Sequence, residues 1–298
     1  MAVAGSHAGT LGRVRAGRAV NPLWLSRLRQ NLPVMLAVGL LAGMAILSIV
    51  SEAVGAPDAL DTNPKLPFAD PSRAHWFGTD ELGRDLFARV VVGARTSLAT
   101  SAVVVLASAL VGIPVGLLAG YIGGVADTLL MRLVDVILAF PAILLAMGLI
   151  AVLGQGFLPA IVAVSVVSIP GFARLMRASV LAEKEREYVL AARAIGCAPG
   201  RLMLHTLLPN CLAPVIVQAA FIATWAVLLE ASLSFLGFGV RPPTPSWGQM
   251  LSMSKDFLYR SPWYGLFPGA ALTLVVLALY TLGDAAQRAL GRGRQSLF

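Results

Sequence analysis

Six apolar stretches, each close to the length of a membrane-spanning helix, constrain this chain more than any other feature. An α-helix needs about 20 apolar residues to cross the hydrocarbon core of a bilayer. The stretches cover residues 32–50, 97–121, 133–153, 157–172, 211–238 and 265–282. Apolar runs of this length are typical of helices, which satisfy their own backbone hydrogen bonds inside lipid. The sequence therefore predicts an all-α integral membrane protein with six transmembrane helices.

The composition excludes the main alternatives to a membrane protein. Hydrophobic residues make up 57% of the chain and charged residues 13%, whereas soluble domains carry about 25% charged residues. The two cysteines and three histidines are scattered, with no disulfide framework and no metal-ligand spacing. These numbers argue against a soluble enzyme, a disulfide scaffold or a disordered chain, and they predict no metal or cofactor site.

The basic residues predict the orientation. The net charge is +8, which in a soluble protein would suggest nucleic acid, but here the charges lie between apolar spans and no nucleic-acid partner is predicted. With the N-terminus inside, 15 Lys and Arg residues are cytoplasmic and 8 are external. Cytoplasmic segments of membrane proteins carry the excess of positive charge. Both termini are therefore expected in the cytoplasm.

The long segment between the first two spans, residues 55–96, is expected to be an external loop with an interfacial helix. Thr79 is a candidate N-cap, and Asp80 and Glu81 would then lie in the first turn, where the helix dipole favours acids. The i,i+4 ion pairs of this helix would be Asp80/Arg84 and Asp85/Arg89.

Glycines at four-residue spacing occur in two spans: Gly39 and Gly43 in the first, and Gly112, Gly116 and Gly120 in the second. Such spacing places small residues on one helix face and allows close helix packing. We expect packing within the chain, with a dimer face as the alternative.

The sequence contains no recognisable catalytic motif. Each of the three lysines lacks the preceding glycine of a phosphate-binding loop, and neither G-x-S-x-G nor H-E-x-x-H occurs. The chain is therefore not expected to be an enzyme.

Two acids fall within spans. Burying a charge at the centre of a bilayer costs about 2.5–3.5 kcal/mol on insertion scales, so such residues are candidates for function. Glu230 could contact a substrate in a translocation path, but its position near the outer end of the fifth span favours a structural hydrogen bond. Asp135 is expected to pair with Arg132, three residues earlier on the same helix.

The loop between the fourth and fifth spans, residues 178–210, is the most informative part of the chain. Residues 182–195 read as a helix that stops at Gly196, Pro199 then begins a second short helix, and Pro209 ends it. Small side chains give this loop a low-relief surface that a partner protein could approach; they are Ala191, Ala192, Ala194 and Ala198. Residue patterns alone leave a simple surface hairpin open.

Residues 190–209 resemble the EAA signature of bacterial ABC-importer permeases, E-A-A-x3-G-x9-I-x-L-P. The matching residues are Ala191, Ala192, Gly196, Leu208 and Pro209. Leu190 stands in place of Glu and Thr206 in place of Ile, whereas Glu187, one turn earlier, could supply an acid on the same helix. The resemblance implies that these residues form the loop on which an ATPase docks.

Further segments resemble the C-type permease subunit of dipeptide, oligopeptide and nickel importers. They are residues 75–98, 120–141, 208–219, 230–239 and 242–251. The resemblance implies the type I ABC importer permease fold, with a five-helix core domain at 97–290. Before the core lie a cytoplasmic tail at 1–31 and a first transmembrane helix at 32–54, and a second tail follows at 291–298.

The same resemblance implies the function and the partners. The chain would be a permease subunit in the bacterial inner membrane that forms half of a translocation path for peptides. Its expected partners are a homologous second permease, two cytoplasmic ATPases or one fused ATPase chain, and an external solute-binding protein. The alternatives are a nickel, glutathione, opine or haem importer and, from another class, an ion-coupled secondary carrier.

Overall fold

The computed structural model describes residues 31–53 and 59–295, and every regular element in these two segments is helical. The helices in chain order are α1 Leu32–Ala53, α2 Leu86–Ile122, α3 Gly124–Leu138, α4 Ala142–Leu153, α5 Phe157–Glu183, α6 Glu187–Ala194, α7 Leu208–Phe235, α8 Trp247–Ser254 and α9 Trp263–Gln295. A helical turn, Pro199–Arg201, and a π-helical turn, Leu202–Leu207, lead into α7. Apart from Asn31, the N-terminal tail lies outside the described residues.

Five of these segments are long and apolar enough to cross a membrane: α1, α2, α5, α9, and α7 with the turns before it. Helices α3 and α4 satisfy the same test only as a pair, and they meet at an angle of 89°. The break lies at Phe140-Pro141, where the sequence predicted an interruption of the third span. It forms there because proline disfavours the helical conformation for the residue before it. Five of the six predicted spans are confirmed, and the third is present as this sharply bent helix pair.

The second span begins earlier than predicted. Helix α2 runs without interruption over 37 residues from Leu86, and the Asp85 carboxylate caps it by accepting a hydrogen bond from the backbone N–H of Ala88 at 2.8 Å. The predicted separate interfacial helix beginning at Thr79 is therefore wrong. Its second half is the first part of α2, and its first half is a loop.

Two observations explain why residues 79–85 are not helical. Gly83 has φ +71°, which breaks a right-handed helix, and a Cβ there would lie 1.9 Å from the carbonyl oxygen of Asn63. The buried Asp80 carboxylate accepts hydrogen bonds from the backbone N–H groups of Leu82 and Arg84, at 2.9 and 3.0 Å, and holds the turn. Asp80 thus stabilises a tight turn and does not serve as a helix-dipole acid.

Asp80 also binds two buried arginines. Arg84 Nε lies 2.6 Å and Arg89 Nε 3.3 Å from Asp80 Oδ2. The predicted Asp80/Arg84 pair is therefore present, although in a turn. The predicted Asp85/Arg89 pair is replaced, because Asp85 caps α2 and binds His75 Nδ1 at 2.8 Å, while Arg89 turns to Asp80.

The glycine face of the second span packs within the chain. Helices α2 and α5 form the most extensive contact in the fold. A Cβ on Gly112, Gly116 or Gly120 would lie within 2.9 Å of an α5 atom, as close as 2.3 Å from the Ala173 carbonyl oxygen for Gly116. The prediction of close packing within the chain is confirmed for this span, whereas at Gly39 in α1 no described atom lies within 4 Å of the added Cβ.

The ion pair predicted between Arg132 and Asp135 is wrong. Asp135 Oδ1 instead accepts a hydrogen bond from Arg174 of α5 at 2.7 Å. Arg177, one turn further along α5, makes two hydrogen bonds to Asp127 of α3, at 2.5 and 2.6 Å. These pairs hold α3 against α5. Because the partners belong to different helices, residue spacing within one helix could not predict them.

The α6 loop and its connection to the spans

The helix of the 178–210 loop ends in a Schellman motif centred on Gly196. Gly196 has φ +80°, the backbone N–H of Cys197 donates to the Ala192 carbonyl at 3.1 Å, and that of Gly196 donates to the Arg193 carbonyl at 3.0 Å. These two hydrogen bonds define the motif, and glycine adopts the left-handed conformation without strain. The helix stop predicted at Gly196 is present.

The start of this loop helix differs from the prediction of one helix over 182–195. Helix α5 continues to Glu183, a turn covers residues 184–186, and α6 begins at Glu187. The largely buried Glu183 carboxylate fastens this turn: it lies 3.1 Å from Arg186 Nε and accepts a hydrogen bond from the Tyr188 hydroxyl at 2.6 Å. Burial, together with this hydrogen bond, raises the pKa of Tyr188 above its ordinary value, so the hydroxyl remains a donor.

The end of the loop also differs from the prediction, because Pro209 does not terminate a helix. The turn that begins at Pro199 continues through the π-helical turn into α7, and Pro209 lies at the start of that span. A proline ring in an α-helix clashes with the carbonyl four residues earlier, here that of His205. The wider π-helical turn over 202–207 gives this ring room, so the chain passes from loop to span without a break.

The two faces of α6 have different surroundings. Val189 is fully buried, and Ala192 packs beside it against the core cluster of the spans. Glu187, Ala191 and Ala194 are exposed on the other side. The exposed side therefore carries the low-relief surface, while the inner side attaches α6 to the bundle.

The predicted loop residues divide accordingly. Glu187, Ala191, Gly196 and Pro209 are exposed, whereas Ala192 and Leu208 are partly buried against the core. Sequence reasoning missed the apolar part of the exposed surface, which consists of Leu190, Ile195 and Leu204 at 46%, 86% and 56% exposure. The sequence did contain a signal for this surface: large apolar residues cluster in the loop, which is too short and too charged to be a span.

Contacts with α2 hold the loop beneath the bundle. The Lys184 ammonium donates to the Gly120 carbonyl at 3.0 Å, and the Arg193 guanidinium lies 5.4 Å from the centre of the Tyr121 ring. Both partners lie at the end of α2, next to the glycine face that packs against α5. The loop is thus connected to three spans: α2, α5 and α7.

Glu230 lies far along α7 from the loop and is buried, with 1% of its surface exposed. Its Oε1 accepts a hydrogen bond from the Ser234 hydroxyl at 2.7 Å. The Ser97 hydroxyl of α2 is its other polar neighbour, but the two side chains are not hydrogen-bonded. This arrangement agrees with the structural hydrogen bond favoured by the sequence, and in this structure the carboxylate does not reach an open path.

The helices define a polytopic α-helical membrane protein with the fold of an importer permease. A chain of the MetNI methionine ABC transporter, solved in inward-facing conformations, superposes with a TM-score of 0.57 at 23% sequence identity. The match covers 68% of this chain and 96% of that chain.

Sequence comparison then gives the family. Residues 112–296 match the family described as binding-protein-dependent transport system inner membrane component, and the chain belongs to this family. The dipeptide transport system permease protein DppC of Alkalihalophilus pseudofirmus is 40% identical over 91% of this chain and 90% of that protein. The glutathione transport system permease protein GsiD of Pectobacterium atrosepticum is 38% identical over 90% and 89%. The chain is an inner-membrane permease subunit of an ABC importer, as the resemblance predicted.

Proposed function

We propose that this permease subunit imports dipeptides or short oligopeptides. The support comes from two relatives. One is named for dipeptides and is 40% identical over 91% of this chain, and the other is named for di- and tripeptides and is 46% identical over 72% of it. Glutathione, the cargo named for a further relative, is itself a short peptide. A glutathione importer is therefore the second candidate.

The proposed mechanism is that movement of the loop is transmitted along α7, because the loop and this span are continuous. The stretch Pro199–Phe235 forms one 37-residue helical segment, about 55 Å long at the usual rise per residue. A displacement applied at the Gly196 bend would pass along this segment to Glu230 and the end of α7. The buried Val189 and the partly buried Ala192 would keep α6 from moving independently of the bundle.

The exposed face of α6 would seat a cytoplasmic ATPase. Ala191 and Ala194 allow close approach, and Leu190 and Ile195 offer apolar area that a protein partner could bury. ATP would be hydrolysed by two ATPase subunits or one fused chain, and this chain would be non-catalytic. A homologous second permease would complete the path, and an external binding protein would deliver the cargo.

Uptake measurements test the proposal. Cells that lack other peptide importers and express the complete transporter should accumulate radiolabelled alanyl-alanine, and cells without this chain should not. The purified chain alone should hydrolyse no ATP, whereas the assembled transporter should hydrolyse ATP. Accumulation of glutathione but not of alanyl-alanine would favour the second candidate. ATP hydrolysis by the purified chain alone would contradict the proposal that only the ATPase subunits hydrolyse ATP.

A further inference from the structure

A cleft of about 480 Å³, lined by both polar and apolar residues, opens beside the end of α7, at the opposite end of that span from the loop. Its volume lies within the range of roughly 300–1,000 Å³ that is typical of small-molecule sites. Polar side chains from four segments line it: Gln155 between α4 and α5, Ser234 in α7, Arg241 in the following loop, and Gln249 and Ser252 in α8.

One wall of the cleft carries an acceptor oxygen without a donor. Gln249 is only 7% exposed, and its Oε1 has no hydrogen-bond partner among the described residues. Ser234, which also lines the cleft, donates to Oε1 of the buried Glu230, which does not itself line the cleft. Unpaired buried acceptors cost free energy, which a ligand that supplies N–H donors would recover.

The loop at the cleft carries the complementary group. The exposed Arg241 guanidinium donates one hydrogen bond, to Gln155 Oε1 at 3.1 Å. A guanidinium has five N–H donors arranged in a fork that matches a carboxylate. The cleft therefore combines a donor group for an anion, Arg241, with a buried acceptor, Gln249 Oε1.

We propose that this cleft binds the polar main chain of a short peptide in transit. The peptide's terminal carboxylate would pair with Arg241, and its N–H or ammonium donors would face Gln249 Oε1 and the Ser234 hydroxyl. This inference rests on the proposed peptide cargo and adds a recognition site for the free carboxylate. Because Ser234 belongs to α7, movement of that helix would alter the cleft when the loop moves.

Site protection on the assembled transporter in lipid nanodiscs tests the cleft directly. Ser252→Cys, in a chain with Cys197→Ser and Cys211→Ser, places a thiol on the cleft wall. Its rate of reaction with a maleimide is measured with increasing alanyl-alanine and, separately, with the C-terminal amide of that dipeptide. We expect alanyl-alanine to slow labelling and the amide to protect only at about tenfold higher concentration, because it lacks the charge-assisted pair.

Variants assign the contacts. Arg241→Gln should raise the half-protecting concentration of alanyl-alanine about tenfold and abolish the preference over the amide. Lys255→Gln removes the same charge from an exposed residue beyond α8 and should change neither. Because Arg241 is exposed, its replacement should not disturb folding, and Gln249→Leu, with the carbonyl removed, should weaken protection by both compounds.

The outcomes separate this inference from the proposed function. If alanyl-alanine is transported by the wild type but protects Ser252→Cys no better than its amide, the carboxylate site is wrong. Protection by the solute-binding protein alone, with no effect of dipeptide, would make the cleft a protein contact and also overturn the inference. Failure of the wild type to transport alanyl-alanine would instead contradict the proposed cargo.

Discussion

Gly196 shows how a single residue can define the shape of the loop. Its φ of +80° is accessible to glycine but strained for residues with a Cβ, and no described atom lies within 4 Å of the position a Cβ would take. The requirement at Gly196 is therefore conformational and not steric. Asp80 shows the opposite case, in which close contacts with Arg84 and Arg89 fix the role of the residue.

Replacement of Gly196 by valine should uncouple the loop. The left-handed conformation costs a residue with a Cβ about 1–2 kcal/mol, so the bend would re-form in another geometry and shift the exposed face of α6. We expect normal membrane insertion, loss of labelled dipeptide uptake and weakened ATPase co-purification. Gly196→Asn should retain more activity, because asparagine tolerates this conformation.

The matched control for this prediction is Gly200→Val. Gly200 is also exposed and has open space around its Cβ position, but it lies in the helical turn and has no left-handed φ. We expect normal uptake for Gly200→Val. If Gly196→Val reduced dipeptide uptake no more than Gly200→Val does, the bend at Gly196 would not matter for coupling.

Asp80→Ala should destabilise the protein strongly. The substitution leaves the buried Arg84 and Arg89 without their shared carboxylate, and breaking a buried ion pair costs about 3–5 kcal/mol. Thermal unfolding in detergent should show a clear fall in the midpoint. Asp135→Ala, which breaks the largely exposed pair with Arg174, should cost about 1 kcal/mol or less, and similar shifts for both variants would refute the distinction.

At the scale of elements, two helix contacts organise the molecule. The glycine face of α2 against α5 brings two long spans together, and the buried side of α6 attaches the loop to them. The contact between α2 and α5 depends on glycines, which have no side chain, and the contact of α6 depends on small or apolar side chains. Each can be tested without touching the proposed cargo site.

Gly116→Leu should separate α2 from α5. A Cβ at this position already lies 2.3 Å from the Ala173 carbonyl oxygen, so the backbone of one helix must move. We expect low yield and a lower unfolding midpoint in detergent. Gly39→Leu in α1 should leave both unchanged, since no described atom lies within 4 Å of that Cβ, and a tolerated Gly116→Leu would contradict the described packing.

Ala191→Arg should block ATPase docking while the permease still folds. The side chain is exposed on α6, so the bulky cation would project toward the proposed partner. Pull-down of the ATPase should fall sharply at unchanged permease levels. Ala74→Arg, at an exposed position in the segment before α2, should have no effect on pull-down, whereas Ala192→Arg should reduce the permease level itself because Ala192 packs against the core.

At the scale of the whole molecule, the proposed coupling and the proposed recognition site lie at opposite ends of α7. The distribution of basic residues predicts that the loop lies inside and that the segment before α2 lies outside. An impermeant thiol reagent added to intact cells should therefore label Asp61→Cys, an exposed position in that segment, and leave the native Cys197 unlabelled. Rapid labelling of Cys197 from outside would reverse the orientation.

The sequence by itself determined the class of the protein, the number of spans and the bend at Gly196. These features depend on local properties: the length of apolar runs, the proline in the third span, and the freedom of glycine to adopt a positive φ. The residues that match the loop signature, from Ala191 to Pro209, were also found in the sequence, through its resemblance to a known family.

The tertiary structure decided the choices among partners distant in sequence. The i,i+3 and i,i+4 spacings predicted pairs for Asp85 and Asp135, but their carboxylates bind His75 and Arg174 instead. The start of α2 at Leu86 depends on the approach of Gly83 to Asn63, and the inward position of Ala192 depends on the spans beneath it. Local patterns do not encode such contacts, because a carboxylate pairs with whichever donor the packed chain brings within reach.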